Sequence, residues 1–194
     1  MGVSLEKGEG VSLSKGNPDL EKIYVDIEWE ETKINGHDCD LDISVFLLSG
    51  NDKVSKDDDF VFYNHSSEVD GAVFYTGDDR TGGGDEEDER VEVDLVSLRN
   101  NGPEIKKLAF TATIHDAAKL GQNFGQIEGA SVRVVDMATD QEIVRYDLTE
   151  DYSVETAITV GEIVVDESLR FNALGESFEG GLRSACKTYG VNVG

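Results

Sequence analysis

The sequence has few of the residues that stabilise small secreted proteins or bind nucleic acids. It contains two cysteines, Cys39 and Cys186, and two prolines in 194 residues, so disulfide bonds do not form its framework. Only 17 lysines and arginines stand against 41 aspartates and glutamates. The net charge of −24 disfavours nucleic acid or an anionic membrane as a direct partner, because both require basic patches. No apolar run approaches the length needed to span a bilayer.

The N-terminal residues MGVSLEKGEG also lack the features of a targeting signal. They do not place a basic segment before an apolar one, and Glu6 occupies the position where N-myristoylation requires Ser or Thr. We therefore expect a soluble, cytoplasmic protein without direct membrane insertion. Its acidity favours cations or basic proteins as partners.

Apolar residues make up 38% of the chain, and most of them recur at every second position, as is typical of β-strands. The clearest case is segment 39–48, where one face is apolar throughout. Its other face begins with polar residues and becomes apolar at Phe46 and Leu48. The alternation predicts strands at 22–30, 39–48, 59–64, 90–95, 107–115, 130–137, 141–148, 158–165 and 169–174.

About ten short strands with brief connections predict an all-β fold, a β-sandwich with a few short helices. The helices are expected at 116–124, at 151–157 after a Thr149 cap, and at 181–189. The motif VSLxKG occurs at 3–8 and again at 11–16, which predicts a local N-terminal hairpin. No low-complexity linker divides the chain, so we expect a single domain.

Carboxylates cluster beside the predicted strand ends. Alternation places Asp38, Asp40 and Asp42 on one face of a strand, about 7 Å apart. Between Asp78 and Glu89 there are seven carboxylates and one guanidinium. Glu89 falls on the same side as the apolar residues of the strand that follows it, where a carboxylate is costly unless it is paired.

Calcium accounts for these features together. It takes six to eight oxygen ligands in flexible geometry from carboxylates, carbonyls and amides, and Asn64 offers a neutral oxygen. Magnesium requires stricter geometry and is the second choice. The pattern is not an EF-hand, because Ile43 stands where the required glycine belongs. From spacing alone, a solvated acidic loop remains the alternative.

The order of several motifs along nearly the whole chain resembles the tellurium-resistance TerD family. These motifs are VSLxKG, HDCDLDISVFLL, FVFYN, TGDDRTGGGDEEDE, TIHD, NFGQ, RYDLTED followed by Glu155, and GGLRSACKTYG. The family's usual loop TGDNRTGEGDGDDE differs here at four positions. Asp79 replaces an Asn and Glu87 an Asp, which keeps oxygen ligands, whereas Gly83 replaces an acid and Glu86 a turn glycine.

The resemblance implies a single TerD-like β-sandwich domain over residues 1–194 that binds about two calcium ions at neighbouring sites. It also implies a cytoplasmic role in resistance to tellurite and other stresses. Carried over residue by residue, the metal-binding set is Asp40, Asp42, Asn64, Asp78, Asp79, Asp85, Asp88 and Glu89, with Asp38 as a weaker candidate.

The function that follows is non-enzymatic: calcium binding within a tellurite- or stress-resistance system, in concert with other proteins of that system. The alternative is an enzyme that reduces or modifies tellurium oxyanions. Such an enzyme needs a redox cofactor or a reactive cysteine pair, and the sequence has neither a dinucleotide-binding fingerprint nor a CxxC motif.

Overall fold

Two β-sheets pack face to face in the computed structural model, which describes residues 2–76, 89–148 and 154–194. The strands are β1 (Val3–Leu5), β2 (Gly10–Ser12), β3 (Lys22–Glu28), β4 (Lys33–Ile34), β5 (His37–Asp38), β6 (Leu41–Leu48), β7 (Phe60–Val61), β8 (Ser67–Glu68), β9 (Val73–Thr76), β10 (Glu89–Asp94), β11 (Lys107–Ile114), β12 (Ser131–Asp136), β13 (Gln141–Asp147), β14 (Ala157–Val164) and β15 (Arg170–Ser177).

The first sheet has the strand order β1-β13-β12-β3-β10-β9-β8, and the second has the order β2-β15-β14-β11-β6-β7. Neighbouring strands run antiparallel except for β1, which pairs in parallel with β13. A separate two-stranded hairpin joins β4 to β5. The all-β sandwich predicted from the sequence is therefore confirmed.

Three short α-helices complete the described structure: α1 (Leu95–Asn101), α2 (Ala117–Leu120) and α3 (Leu182–Tyr189). Two 3-10 turns occur at Asp57–Asp59 and Phe124–Gln126. Within the described ranges, no helix is long and apolar enough to cross a membrane.

Strand β6 carries apolar side chains on both faces because it lies between two hydrophobic clusters. Leu41, Ile43, Val45 and Leu47 point into the core between the sheets. Phe46 and Leu48 point the opposite way, into a second cluster that α3 covers. The predicted change of the outer face from polar to apolar is thus explained by the helix that packs on it.

The N-terminal hairpin predicted from the repeated VSLxKG motif is wrong. Strand β1 pairs with β13 in the first sheet, whereas β2 pairs with β15 in the second. Both copies of the motif are edge strands, and each finds its hydrogen-bond partners near the C-terminal end of the chain. The local turn between them therefore connects two sheets instead of two paired strands.

Two other expectations differ from the structure. The helix expected at 151–157 is wrong in its described part, since residues 154–156 are not helical and Ala157 begins β14; Thr149 and residues 150–153 lie outside the described residues. The strand expected at 39–48 is present as β6 but begins slightly later, at Leu41.

Candidate metal centre

The predicted metal-binding residues that the structure describes all lie at one end of the sandwich. At this end β6 and β10 begin, β9 and β11 finish, and the chain leaves β7. We call it the acidic end and define it by Asp40, Asp42, Asn64 and Glu89. Segments 77–88 and 149–153, which follow β9 and β13 in the sequence, lie outside the described residues.

Glu89 is the most deeply placed of these residues, with a relative exposure of 0%. It is the first residue of β10, and its side chain points between the sheets with those of Val91 and Val93, as the alternation predicted. The Tyr75 hydroxyl donates a hydrogen bond to Glu89 Oε2, and the Ile43 backbone nitrogen lies 3.4 Å from the same oxygen. A carboxylate from the first sheet is therefore held against β6 of the second.

The segment before β6 is fixed by contacts from three separate parts of the chain. Trp29 Nε1 donates to the carbonyl of Cys39 at 3.1 Å, and Gln122 Nε2 donates to the carbonyl of Asp38 at 3.1 Å. The backbone nitrogen of His115 donates to the carbonyl of Asp40 at 2.8 Å. These contacts set the backbone from which Asp40 and Asp42 project.

His115 also contacts Asp42 directly, with 3.4 Å between Nδ1 and Oδ2. Asp116, the next residue along the chain, instead makes an ion pair with Lys119 at 2.8 Å. The Asp42 side chain is only 13% exposed, so His115 partly covers a predicted ligand. The ring of His115 in turn lies 6.3 Å from that of Tyr63, next to Asn64.

Asp38, Asp40 and Asp42 are each partly exposed and alternate with the buried Cys39 and Leu41, as the sequence predicted, although β5 ends at Asp38 and β6 begins at Leu41. Asp38 belongs to the β4–β5 hairpin, where Lys33 Nζ lies 3.2 Å from its carboxylate. Asp40 is half-buried and Asp42 lies in β6, whereas Asn64 is exposed. Of the three aspartates, Asp38 is thus the one that pairs with Lys33.

The remaining predicted ligands, Asp78, Asp79, Asp85 and Asp88, lie outside the described residues. Within the described ranges, no group of three or more His, Cys, Asp or Glu side chains is placed to hold a metal. The described donors are carboxylate and amide oxygens, which are the ligands that calcium prefers. They fit calcium chemically, and the calcium-binding set remains a prediction.

Both cysteine side chains are buried, and burial raises the pKa of each thiol. Cys39 has a relative exposure of 0% in the core between the sheets, and burial raises the pKa of its thiol to about 12. Cys186 lies in the cluster under α3, where burial raises its thiol pKa to about 11. The two cysteines belong to different clusters, and neither contributes to the acidic end.

The described structure is a mainly antiparallel β-sandwich with carboxylates at one end. The comparison with known families is more specific: the chain belongs to the TerD domain family, whose model matches residues 1–189. The family predicted from the ordered motifs is therefore confirmed.

Three curated relatives resemble the chain along all or nearly all of its length. The tellurium resistance protein TerD of Serratia marcescens is 45% identical over 194 residues, covering 100% of both chains. General stress protein 16U of Bacillus subtilis (strain 168) is 44% identical over 196 residues, again covering 100% of both chains. Stress response protein SCP2 of the same organism is 32% identical, covering 91% of this chain and 92% of its own.

A solved structure supports the fold independently. A homologue of telluride resistance protein (TerD) from Streptomyces coelicolor A3(2) superposes with a TM-score of 0.67, covering 84% of this chain and 94% of that one. At 20% sequence identity, this likeness shows the shared fold.

Proposed function

We propose that this protein is a non-enzymatic calcium-binding protein of a tellurite- or stress-resistance system, acting in the cytoplasm through protein partners. The observation that carries the proposal is the placement of Glu89. Its carboxylate is fully buried at the acidic end, next to the backbone from which Asp42 projects, and at the edge of the acid-rich segment 77–88. Carboxylates gathered in this way repel one another unless a cation lies among them.

Asp40, Asp42, Asn64 and Glu89, with Asp78, Asp79, Asp85 and Asp88 from the neighbouring segment, would hold about two calcium ions. Bound calcium would neutralise charge that otherwise destabilises this end of the sandwich. Of these residues, Glu89 is suited to couple calcium binding to the packing of the sandwich. Its carboxylate accepts a hydrogen bond from the Tyr75 hydroxyl and faces the backbone of β6.

The resistance role is supported by the names of the relatives, which describe tellurium resistance and stress proteins. A protein with a net charge of −24 favours cations and basic proteins over nucleic acids as partners. We therefore place other proteins of the same resistance system among its partners.

The competing function is an enzyme that reduces tellurium oxyanions. A thiol-based reaction requires an accessible thiolate, yet Cys39 and Cys186 are both buried with raised thiol pKa values. The two thiols lie in different clusters, so they do not form a reactive pair. These observations favour the binding protein over the thiol-dependent enzyme.

Calcium titration by isothermal calorimetry tests the proposal. We expect saturation at about two ions per chain, with weaker binding of magnesium. At a hundredfold excess over Kd, calcium should stabilise the fold by about 2.7 kcal/mol, and chelator should reverse the gain. Absence of a calcium-dependent heat, or reduction of tellurite by the pure protein with NADH or thiols, contradicts the proposal.

A further inference from the structure

A cleft of about 920 Å³ opens at the acidic end, on the outer side of the second sheet. One wall is formed by the end of β11 and by α2, and the other by the turn from β15 into α3. Its volume is at the upper end of the range for sites that hold a drug-sized molecule. The cleft is therefore large enough for several side chains of a bound peptide.

Apolar side chains form part of the cleft wall. Ile114 and Phe178 line it and are themselves almost fully buried, at 5% and 7% exposure. Leu182 lies beside them at the start of α3. Tyr63 also lines the cleft and is 44% exposed, although its ring contacts those of Phe62 and His115 edge-on. These side chains provide a surface on which an apolar ligand group would be shielded from water.

The charged side chains of the cleft are mostly acidic. Four carboxylates line it, and they belong to Asp42, Asp116, Glu155 and Glu179. Lys119 is the one lysine or arginine among the described lining residues, and its ammonium group is already engaged by Asp116 at 2.8 Å. The electrostatic field of such a cleft, in a protein of net charge −24, attracts cationic groups.

The start of α3 does not convert the cleft into an anion site. Gly181 is the N-cap of this helix and lines the cleft. The positive end of the helix dipole therefore lies beside the cleft. Glu179 directly precedes the two glycines at this helix start and places a carboxylate there. An incoming anion would therefore meet a like charge.

We propose that this cleft docks a basic, amphipathic peptide segment of a partner protein. Apolar side chains of the segment would pack on Tyr63 and Phe178, while its lysines or arginines would reach Glu155 and Glu179. A small polyamine matches the carboxylates but has no apolar group to cover Tyr63, so a peptide fits both features of the cleft. This inference deepens the proposed function, since it rests on action through a protein partner.

Asp42 connects the cleft with the candidate metal centre, because it lines the cleft and is also a predicted calcium ligand. A carboxylate that holds calcium attracts a basic side chain less strongly. We therefore expect the peptide to bind several-fold more weakly in saturating calcium than in chelator at equal ionic strength.

The test uses a fluorescein-labelled nine-residue peptide that alternates lysine and leucine, with fluorescence anisotropy as the readout. Control peptides alternate lysine with serine, or glutamate with leucine. We expect the lysine–leucine peptide to bind most tightly in low salt. The double variant Glu155→Gln/Glu179→Gln removes one partly exposed and one exposed charge and should weaken peptide binding roughly tenfold, at about threefold for each charge.

A matched variant, Glu104→Gln/Glu167→Gln, removes two exposed carboxylates at the opposite end and should bind the peptide as wild type does. Ala118→Arg places a bulky cation on the exposed face of α2 that lines the cleft, and should abolish binding without unfolding the protein. Circular dichroism confirms that each variant is folded.

Equal effects of the two double variants would overturn the inference, since binding would then follow net charge and not the cleft. Unchanged binding by Ala118→Arg would do the same. Displacement of the peptide by spermidine at equal charge concentration would instead assign the site to small cations. Peptide binding is measured in chelator as well as in calcium, so a failed calcium titration with intact peptide binding contradicts only the calcium function.

Discussion

Oε2 of Glu89, on the first sheet, lies 3.4 Å from the backbone nitrogen of Ile43, on the second. The strand β7 pairs with β6 only at Val45 and Phe46, so the edge of β6 near Ile43 is not covered by β7. The Glu89 carboxylate occupies this uncovered edge. One acidic side chain thus links the interior packing of the sandwich to the acidic end.

Replacing Glu89 should separate its structural role from its charge. Glu89→Ala removes an acceptor from the buried Tyr75 hydroxyl and should cost about 1–3 kcal/mol, seen as a lower melting temperature in chelator. Glu89→Gln keeps an amide oxygen and should cost less, yet it should weaken calcium binding because a charge is lost. Glu92→Ala, on the same strand and partly exposed, is the control. Equal melting temperatures for the Glu89→Ala and Glu92→Ala variants would show that Glu89 has no special role in packing.

Asp42 and Asp116 provide a matched pair for the metal centre, since both are aspartates at the acidic end. Asp42→Asn should weaken calcium binding by about tenfold or more, because one charged ligand is lost. Asp116→Asn should leave it nearly unchanged, since Asp116 pairs with Lys119 at the surface. Calorimetry on both variants compares the two affinities, and similar losses would indicate a general effect of surface charge.

The ion pair between Arg133 and Asp26 should contribute strongly to stability at neutral pH. Asp26 is 2% exposed on the first sheet, and Arg133 Nε donates to its Oδ1 at 3.0 Å. Removing the arginine in Arg133→Met leaves a buried carboxylate without this partner. We expect a loss of about 3–5 kcal/mol at pH 7, measured by thermal or urea denaturation.

The same variant should show a defined pH dependence. Burial raises the pKa of Asp26 in the folded protein, while the Arg133 guanidinium opposes the rise. A raised folded-state pKa favours the protonated acid, so its stabilising effect is complete at low pH and is lost as pH rises through that pKa. Arg133→Met should therefore lose more stability at pH 7 than at pH 4. A gap that is constant between these pH values would argue against a charged, buried Asp26.

The cysteines should react only when the protein unfolds. With thiol pKa values raised to about 12 for Cys39 and about 11 for Cys186, roughly one thiol in a thousand or fewer is ionised at pH 8. Iodoacetamide should label both residues rapidly in denaturant and very slowly in the native state, as measured by mass spectrometry. Fast labelling of the native protein would support the thiol-dependent enzyme instead.

The variants Cys39→Ser and Cys186→Ser should keep calcium affinity within a few-fold of wild type, because thiols are poor ligands for calcium.

Alternation predicted the long strands well because each has at least one face in a hydrophobic core. Strand β3 buries Ile23, Val25 and Ile27 as expected. Strands β4, β5 and β8 have two residues each, and no periodicity predicted them. Helix α1 was missed although its signal is present: the Asp94 side chain accepts from the Ser97 nitrogen at 2.8 Å, a typical N-cap.

The candidate site was less predictable, since distant parts of the chain shape it. Spacing placed Glu89 on the apolar side of its strand, and the structure confirms this. It did not reveal that Trp29 and Gln122 hold the segment before β6, or that His115 pairs with Asp42. These contacts depend on tertiary packing, which local periodicity does not encode. The assignments to Asp78, Asp79, Asp85 and Asp88 remain predictions.

The separation of β1 and β2 into opposite sheets has a consequence for the order of folding. Val3 pairs with Val144 and Val11 pairs with Phe171, so β1 and β2 pair with strands that are synthesised much later. On a ribosome that adds about 5–20 residues per second, the N-terminal strands wait several seconds or more for those partners to emerge. Strands β1 and β2 therefore join their sheets late in synthesis, after β13 and β15 have been made. Translation that stops before β15 should leave β2 without its partner and the second sheet incomplete.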